Sequence, residues 1–352
     1  MSKVCLITDL HFGVRGGSEA FMDNQRKFMR QTFFPLIQKE NISGVIMLGD
    51  LCDRRKGIDF KVANFMRTEF LQPLAQMDIP VDIICGNHDL PSRSNMKHSS
   101  LEELVNGNYR RIEGHIEPAV IDRYGPKFLL VPWICDSNRD DVMRVLNTSD
   151  ADVVFAHLEL KGFKMYRNTP VSEHGMDPDI LSRFKHVYTG HFHSSSTQGN
   201  ITYLGAAWEM TWSDHDDPKG FHILDTETLE LTFYRNPFTM FQTINYHPKT
   251  SMFKDGKPTH DVKGKIVRVI IKERDAKFDT YLEALEDAGA VEVQVVEQPV
   301  TATSRDDVAT DEENGDVLSV LKKSVQELGN GVDQDALFGL LEEIHTEATQ
   351  GV

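Results

Sequence analysis

The chain has 352 residues, a formal net charge of −16, 40% hydrophobic residues and 26% charged residues. That composition is ordinary for a globular protein with a sizeable core, and no run of about 18 apolar residues marks a membrane span. The acid excess argues against a nucleic-acid partner bound through bulk positive charge, yet 22 acidic and 12 basic residues lie from position 241 onward, so most of the excess is outside the first 240 residues.

Short apolar runs at Lys3 to Thr8, Gly44 to Leu48 and Val81 to Cys85 read as buried strands. Between the first two, Phe21, Met22, Phe28, Met29, Phe33, Leu36 and Ile37 recur at helical spacing, and between the second and third Val62, Phe65, Met66, Phe70, Leu71 and Leu74 do the same. The order β-α-β-α-β implies parallel strands joined by right-handed crossovers. Further strands are expected at Phe128 to Val131, Val153 to Ala156, His186 to Thr189, Ile201 to Leu204, Phe221 to Leu224 and Leu229 to Tyr234. Prolines, glycine and polar residues between Asn236 and Lys257 suggest a boundary, followed by a small βαβ unit of strand Lys265 to Lys272, helix Phe278 to Ala288 and strand Val291 to Glu297. We therefore expect a main domain over residues 1–238, a small accessory domain over 239–300, an acidic linker over 301–316 and a helical tail over 317–352. The tail's two amphipathic patterns cannot bury their apolar faces alone, so they fold back on the body or dock on a partner. The N-terminal MSKVCLITDL enters a strand directly, without an h-region and cleavage site, and the cysteines at 5, 52, 85 and 135 form no CxxC pair. A reducing cytoplasm is the expected compartment.

The chemistry gathers at five strand ends: Asp9-Leu10-His11, Gly49-Asp50-Leu51-Cys52-Asp53, Gly86-Asn87-His88-Asp89, Ala156-His157 and Gly190-His191-Phe192-His193. Loops at the carboxyl edge of an α/β sheet can converge although they are distant in sequence. Asp9, His11, Asp50, Asn87, His157, His191 and His193 form an all-oxygen-and-nitrogen donor set, suited to manganese, iron, zinc or magnesium. Seven donors exceed the needs of one ion; with one bridging carboxylate they would make four contacts to each of two. Two ions about 3.5–4 Å apart can bind a phosphate and activate the attacking water. Any one of these residues alone, such as His157 after its apolar run, is more often an ordinary satisfied side chain. The five motifs in this order at five strand ends are not.

This ordered set resembles the signature of the calcineurin-like metallophosphoesterases over roughly the first 235 residues. The resemblance implies an α/β, four-layer α-β-β-α sandwich, here with a small α+β cap domain and a C-terminal helical tail. It implies two divalent ions, manganese first and magnesium as the alternative. Asp9, His11, Asp50 and His193 would hold one, and Asp50, Asn87, His157 and His191 the other. His88 would be the catalytic histidine beside the phosphate. The stretches Gly49 to Lys56 and Cys85 to Asp89 depart from the protein phosphatase wording. A nuclease core followed by a small cap and a tethered helical tail is similar to the SbcD-type DNA repair nucleases, and within them to the nuclease subunits of tailed phages, which would act in the host cytoplasm. Val131-Pro132-Trp133, Ala156 to Phe163, Ser172 to Gly175 and Asp217 to Phe221 carry that likeness. It implies a DNA exonuclease or endonuclease working in recombination, repair and replication with an SMC-like coiled-coil ATPase that docks on the tail. It also implies a homodimer, through the helix of Phe60 to Ala75 or the one near Arg26. Asp53 occupies a position where relatives often place a second catalytic-type histidine, and is taken as a catalytic candidate beside His88.

Arg54, Arg55 and Lys56, then Arg93 and Lys97, then Lys161, Lys164 and Arg167 follow three of the motifs and are read as DNA-backbone contacts rather than a merely solvated face. No base-reading motif appears, so sequence-specific binding is not expected. Two other readings stand beside the nuclease: a phosphatase or cyclic-nucleotide phosphodiesterase of the same superfamily, and a DNA-end tethering or regulatory subunit with secondary chemistry.

Overall fold

The structure is a computed structural model that describes residues 2–247, 253–254 and 257–297. The expected linker and helical tail lie outside the described residues. Residues 1–298 form one compact unit.

Two six-stranded sheets face each other. The first comprises β1 (Lys3–Ile7), β2 (Gly44–Met47), β3 (Val81–Ile84), β4 (Ile112–His115), β11 (Gly220–Asp225) and β12 (Leu231–Arg235), in the order β12-β11-β1-β2-β3-β4. Strands β1 to β4 run parallel, and β11 lies antiparallel to β1. The second comprises β5 (Ala119–Ile121), β6 (Phe128–Val131), β7 (Val153–His157), β8 (His186–Gly190), β9 (Ser196–Gln198) and β10 (Ile201–Tyr203), in the order β5-β6-β7-β8-β10-β9. Its central strands β6, β7, β8 and β10 are parallel, with antiparallel edges.

Because successive strand residues face opposite ways, each strand feeds two layers. Val4, Leu6, Ile46 and Ile84 meet Phe128, Leu130, Phe155 and Tyr188 between the sheets. The intervening Cys5, Ile7, Val45 and Met47 pack outward against Phe28, Phe33, Phe65 and Phe70. On the far side, Leu129, Val131, Val154 and Ala156 pack against Val142 and Leu146. The result is the expected helix-sheet-sheet-helix sandwich.

Both crossover helices of the first sheet contain a widened turn. Helix α1 runs through Glu19–Phe28, the π-turn Met29–Phe33 and Phe34–Lys39; α2 through Phe60–Met66, the π-turn Arg67–Leu71 and Gln72–Gln76. Pro35 and Pro73 follow these turns after one intervening residue. A proline lacks the N–H that an α-helix interior needs and its ring crowds the carbonyl four residues back. The Phe34 and Gln72 amides instead reach back five residues, to the Met29 and Arg67 carbonyls, so the helices pass the prolines without breaking.

The sequence pattern misses β4, β5 and β9, which are short and lie at or near sheet edges, and the helices α3 (Ser100–Leu104) and α4 (Arg139–Thr148). It also reads Asn236 to Lys257 as irregular. That stretch contains β13 (Phe241–Tyr246) and the start of the small hairpin β14 (Phe253–Lys254) and β15 (Lys257–Pro258). Strand β13 joins β16 (Ile266–Ile271) and β17 (Glu292–Glu297) in a parallel sheet. Helix α5 (Phe278–Asp287) covers it through Phe278, Tyr281 and Leu285, against Ile244, Val267 and Val269.

One buried carboxylate fastens this small sheet to the sandwich. Glu209, only 4% exposed, accepts hydrogen bonds from the Met240 and Phe241 amides at 2.6 and 2.9 Å. Burial pushes its pKa up to about 7 against the two amide bonds that favour charge. A folded-state pKa above the unfolded one means that stability is full below about pH 4.5 and is lost as pH rises to about 7. In Glu209→Gln the acceptor oxygen remains and the titration is gone. Its unfolding free energy, measured by urea titration, should therefore gain on the wild type by about 3 kcal/mol across that window. A constant difference between the two proteins from pH 4.5 to 8 would refute the assignment.

Candidate metal centre

The candidate residues sit where the two sheets meet at the carboxyl ends of their parallel strands. Asp9 and His11 follow β1, Asp50 follows β2, and Asn87 and His88 follow β3; from the other sheet, His157 ends β7, and His191 and His193 follow β8. The seven expected ligands and His88 are thus brought together from segments up to 184 positions apart in sequence.

Three sets of side chains come within 4.8 Å of one another: Asp9, His11 and His193; Asp50, His157 and His191; and His11, Asp53 and His88. Asp50, a member of the second set, also reaches the first, its Oδ2 3.4 Å from both His11 Nε2 and His157 Nε2. Asn87 joins the second set through its Oδ1, 3.1 Å from His157 Nε2. The donor chemistry fits divalent cations. Both His11 ring nitrogens, His193 Nδ1 and Asn87 Nδ2 are buried without hydrogen bonds, a condition that proteins rarely leave uncompensated. The residues present therefore fit two ions, one against Asp9, His11, Asp50 and His193, the other against Asp50, Asn87, His157 and His191.

The loops are held by the candidate ligands' own carboxylate oxygens and by one further residue. Asp50 Oδ1 accepts from the His88 amide at 2.8 Å, tying the second motif to the third. Both Asp9 oxygens lie 3.1–3.2 Å from the His191 amide, tying the first to the fifth. Asp89, fully buried, accepts from the amides of Gly86, Asp50, Leu51 and Cys52 and from the Ser100 hydroxyl. The approach is close enough to demand glycine: a Cβ on Gly86 would lie 2.2 Å from Asp50 Oδ1, and one on Gly49, at φ +94°, 2.4 Å from His157 Nδ1. Asp9, His11, Asp50 and His191 themselves have φ of 52°, 40°, 55° and 87°. Left-handed backbone at non-glycine residues costs roughly 1–3 kcal/mol each and is tolerated where surroundings enforce it.

The electrostatics favour positive charge at this place. Burial opposes ionisation of His11 and His157, yet both are raised to about 9: His11 by Asp53, Asp50 and Asp9, and His157 by Asp50 and Asp9. Burial pushes Asp9 up to about 6, with the Asp50 charge adding to it. Asp50 itself is lowered, because His157 and His11 outweigh its burial. His191 and His193 are lowered by burial, His193 to about 3, and so keep neutral, ligand-ready nitrogens.

His88 Nδ1 lies 2.6 Å from the Asp53 carbonyl oxygen. A carbonyl can only accept, so Nδ1 carries the proton and Nε2 is left for proton exchange. The Asp53 carboxylate, 28% exposed, lies 3.6 Å from His11 Nδ1. Asp53 thus touches both His11 and His88, but it meets His88 through its backbone and not its side chain. Of the basic residues, Arg55 is half-buried and its charge acts on His88, while that of Arg93 acts on His191. Arg54, Lys56, Arg93, Lys97, Lys161, Lys164 and Arg167 are exposed, and Arg167 donates to the Asp216 carbonyl. A separate group of Asp82, Glu113 and His115 is an internal ion network, since Asp82 Oδ1 already meets Arg123 at 2.9 Å and His115 at 2.8 Å. Sequence reasoning missed the role of Asp89, although it stood inside the third motif, and it missed the buried Asp214, which no motif marks.

Fold and site together define a metal-dependent phosphoesterase. Residues 2–205 match the model of the calcineurin-like phosphoesterases, and the chain belongs to that family. Among individual proteins, it is 31% identical over 357 residues to exonuclease subunit 1 of Enterobacteria phage T4, covering 99% of this chain and 100% of that one. It is 23% identical over 256 residues to the SbcD component of the nuclease SbcCD of Staphylococcus epidermidis, covering 65% of this chain and 67% of the other. Among solved structures it is similar to an archaeal phosphodiesterase at 14% identity and a TM-score of 0.33, covering 66% of this chain and 99% of that one, a likeness too low to carry an argument. Among the described residues no helix is long and apolar enough to cross a membrane.

Proposed function

We propose that the chain is the nuclease subunit of a DNA recombination and repair complex, a two-metal phosphodiesterase that cuts DNA. The observation that carries this reading is the full-length similarity to a phage exonuclease subunit, on a chain whose Asp50 reaches both carboxylate–histidine clusters beside His88. When bound, the two ions, manganese in the first instance, would supply Lewis acidity and an activated water. The chain's own residues do the rest. Asp9, Asp50 and the four ligand histidines fix the ions' places, Asn87 completes the second set, and His88 exchanges a proton at Nε2 with the leaving oxygen. A phosphate beside His88 would raise its pKa and favour the donating form. Arg55 and Arg93, whose charges reach the centre from different residues of it, are the best placed of the basic residues to hold flanking phosphates.

Cleavage of end-labelled linear duplex and single-stranded DNA by the purified chain with manganese, beside Asp50→Ala, tests the proposal. Manganese-dependent cutting that vanishes in the variant is the expected result. Hydrolysis of a small phosphodiester with DNA left intact would mean that DNA is not a substrate of the isolated chain.

The complex would include an SMC-like ATPase docked on the tail, and a second copy of the chain. Phe60, 93% exposed at the start of α2, supports that helix as the contact between copies, because it flanks a groove lined by Met66, Leu71, Leu104 and Tyr109. Phe60→Asp should convert a dimer to a monomer in sedimentation velocity. A Phe60→Asp protein that sediments as the wild-type dimer would exclude this face.

A further inference from the structure

A histidine that ligates an ion through one nitrogen usually donates the other N–H to a carboxylate or carbonyl, which fixes ring orientation and raises ligand basicity. His157 does so in the plainest form, with Nδ1 2.7 Å from the Leu48 carbonyl. His193 is different. Its Nδ1 is buried without a hydrogen bond, and the nearest acidic atom is Oδ1 of Asp214 at 3.9 Å. Asp214 is itself fully buried, and no sequence motif marks it.

Asp214 is held from two sides. Its Oδ2 accepts from the Met210 and Thr211 amides, both at 2.9 Å, and from the Thr211 hydroxyl. Its Oδ1 lies 2.7 Å from Nζ of Lys219. Lys219, 4% exposed, also donates to the His193 carbonyl at 2.7 Å and to Asp217 at 2.9 Å. Asp217 in turn accepts from the Ser194 hydroxyl. One buried lysine thus grips the backbone of His193 and, at the same time, fixes the carboxylate that faces the His193 ring. Sealing a lysine and a carboxylate together away from water carries a desolvation cost.

We infer that Asp214, fixed by Lys219, is the positioning residue of the candidate ligand His193. With a cation at the Asp9, His11 and His193 cluster, Asp214 takes the Nδ1–H and leaves Nε2 as the ligand nitrogen, which sets the affinity of that one site. The inference rests on the two-ion reading above.

Manganese binding to the full chain, followed by calorimetry and by the electron paramagnetic resonance of free Mn2+, tests it in wild type, Asp214→Asn and Thr211→Val. Asparagine keeps an acceptor for the 210–211 amides, and valine removes only the capping hydroxyl. In Asp214→Asn one of two sites should weaken by about 10–100-fold, while the other keeps its wild-type affinity and Thr211→Val binds as the wild type does. Two unchanged sites in Asp214→Asn would overturn the inference, and so would an equal loss in Thr211→Val, which would make the role that of the turn. A wild type that takes up no Mn2+ would overturn the two-ion reading and this one with it. A measurement read on the wild type guards against an Asp214 variant that fails to fold. In the zinc-loaded, 15N-histidine-labelled chain, the His193 ring, assigned by its loss in His193→Gln, should show a protonated Nδ1; a protonated Nε2 would overturn the inference.

Discussion

Replacing His88 by alanine should lower the rate of DNA cleavage by roughly 10²–10⁴-fold, the usual worth of a positioned general acid or base, or about 3–5 kcal/mol of barrier. It should leave manganese uptake unchanged. The separation follows from geometry. The His88 side chain is anchored through Nδ1 to the Asp53 carbonyl, while its amide, which the substitution keeps, is the group that binds Asp50 Oδ1. Burial holds its pKa below the ordinary histidine value, so at neutral pH it is mostly uncharged until a phosphate arrives. The checks are single-turnover cleavage of end-labelled DNA and a manganese isotherm. A variant that cuts within threefold of the wild type would remove His88 from the chemistry. One that loses an ion as well would make it a ligand, as its proximity to His11 and Asp53 permits.

Asp89→Ala should act on the fold and the site together. Alanine would leave the amides of Gly86, Asp50, Leu51 and Cys52 facing a buried void. Each unsatisfied buried group costs about 1–3 kcal/mol. Against this stands the relief of a buried carboxylate, which burial and the Asp50 charge already push up to about 6. The balance is a loss of roughly 4 kcal/mol, a large share of a typical domain's stability. Urea unfolding should show it, and the loosened second motif should weaken ion binding, because Asp50 is itself one of the pinned residues. Asp89→Asn retains one acceptor oxygen and should lose about half as much. A loss under 1 kcal/mol in Asp89→Ala would mean that the loop finds other partners.

The sandwich was legible in the sequence because its central strands are largely apolar and its crossover helices keep a 3.6-residue period. The convergence of the seven candidate donors and His88 was legible for a related reason: a buried strand that ends in glycine and ligand-type residues has few other uses for them. What escaped was governed by contacts that no local pattern encodes. Strand β13 keeps neither an unbroken apolar run nor a strict alternation and lies beside prolines, and only its pairing with β16 makes it a strand. The π-turns answer to prolines that periodicity alone treats as neutral. Asp214 and Lys219 lie 21 and 26 positions beyond His193 and reach it only because the chain folds back beneath the turn. Glu209 looks like any exposed glutamate until Met240 and Phe241 close over it.

The place of β1 in its sheet bears on how the protein is made. Strand β1 has β2 on one side and β11 on the other, so one of its edges waits for residues 220–225 to be synthesised. By then the ribosome has delivered every candidate ligand and the whole second sheet. A product ending near residue 205, where the family match stops, would carry the full set of metal donors on a sheet with a bare edge at Lys3–Ile7. Open edges of this kind invite pairing with other chains. Truncation at the limit of the family match should therefore yield aggregates, and soluble shorter forms should begin only beyond β12.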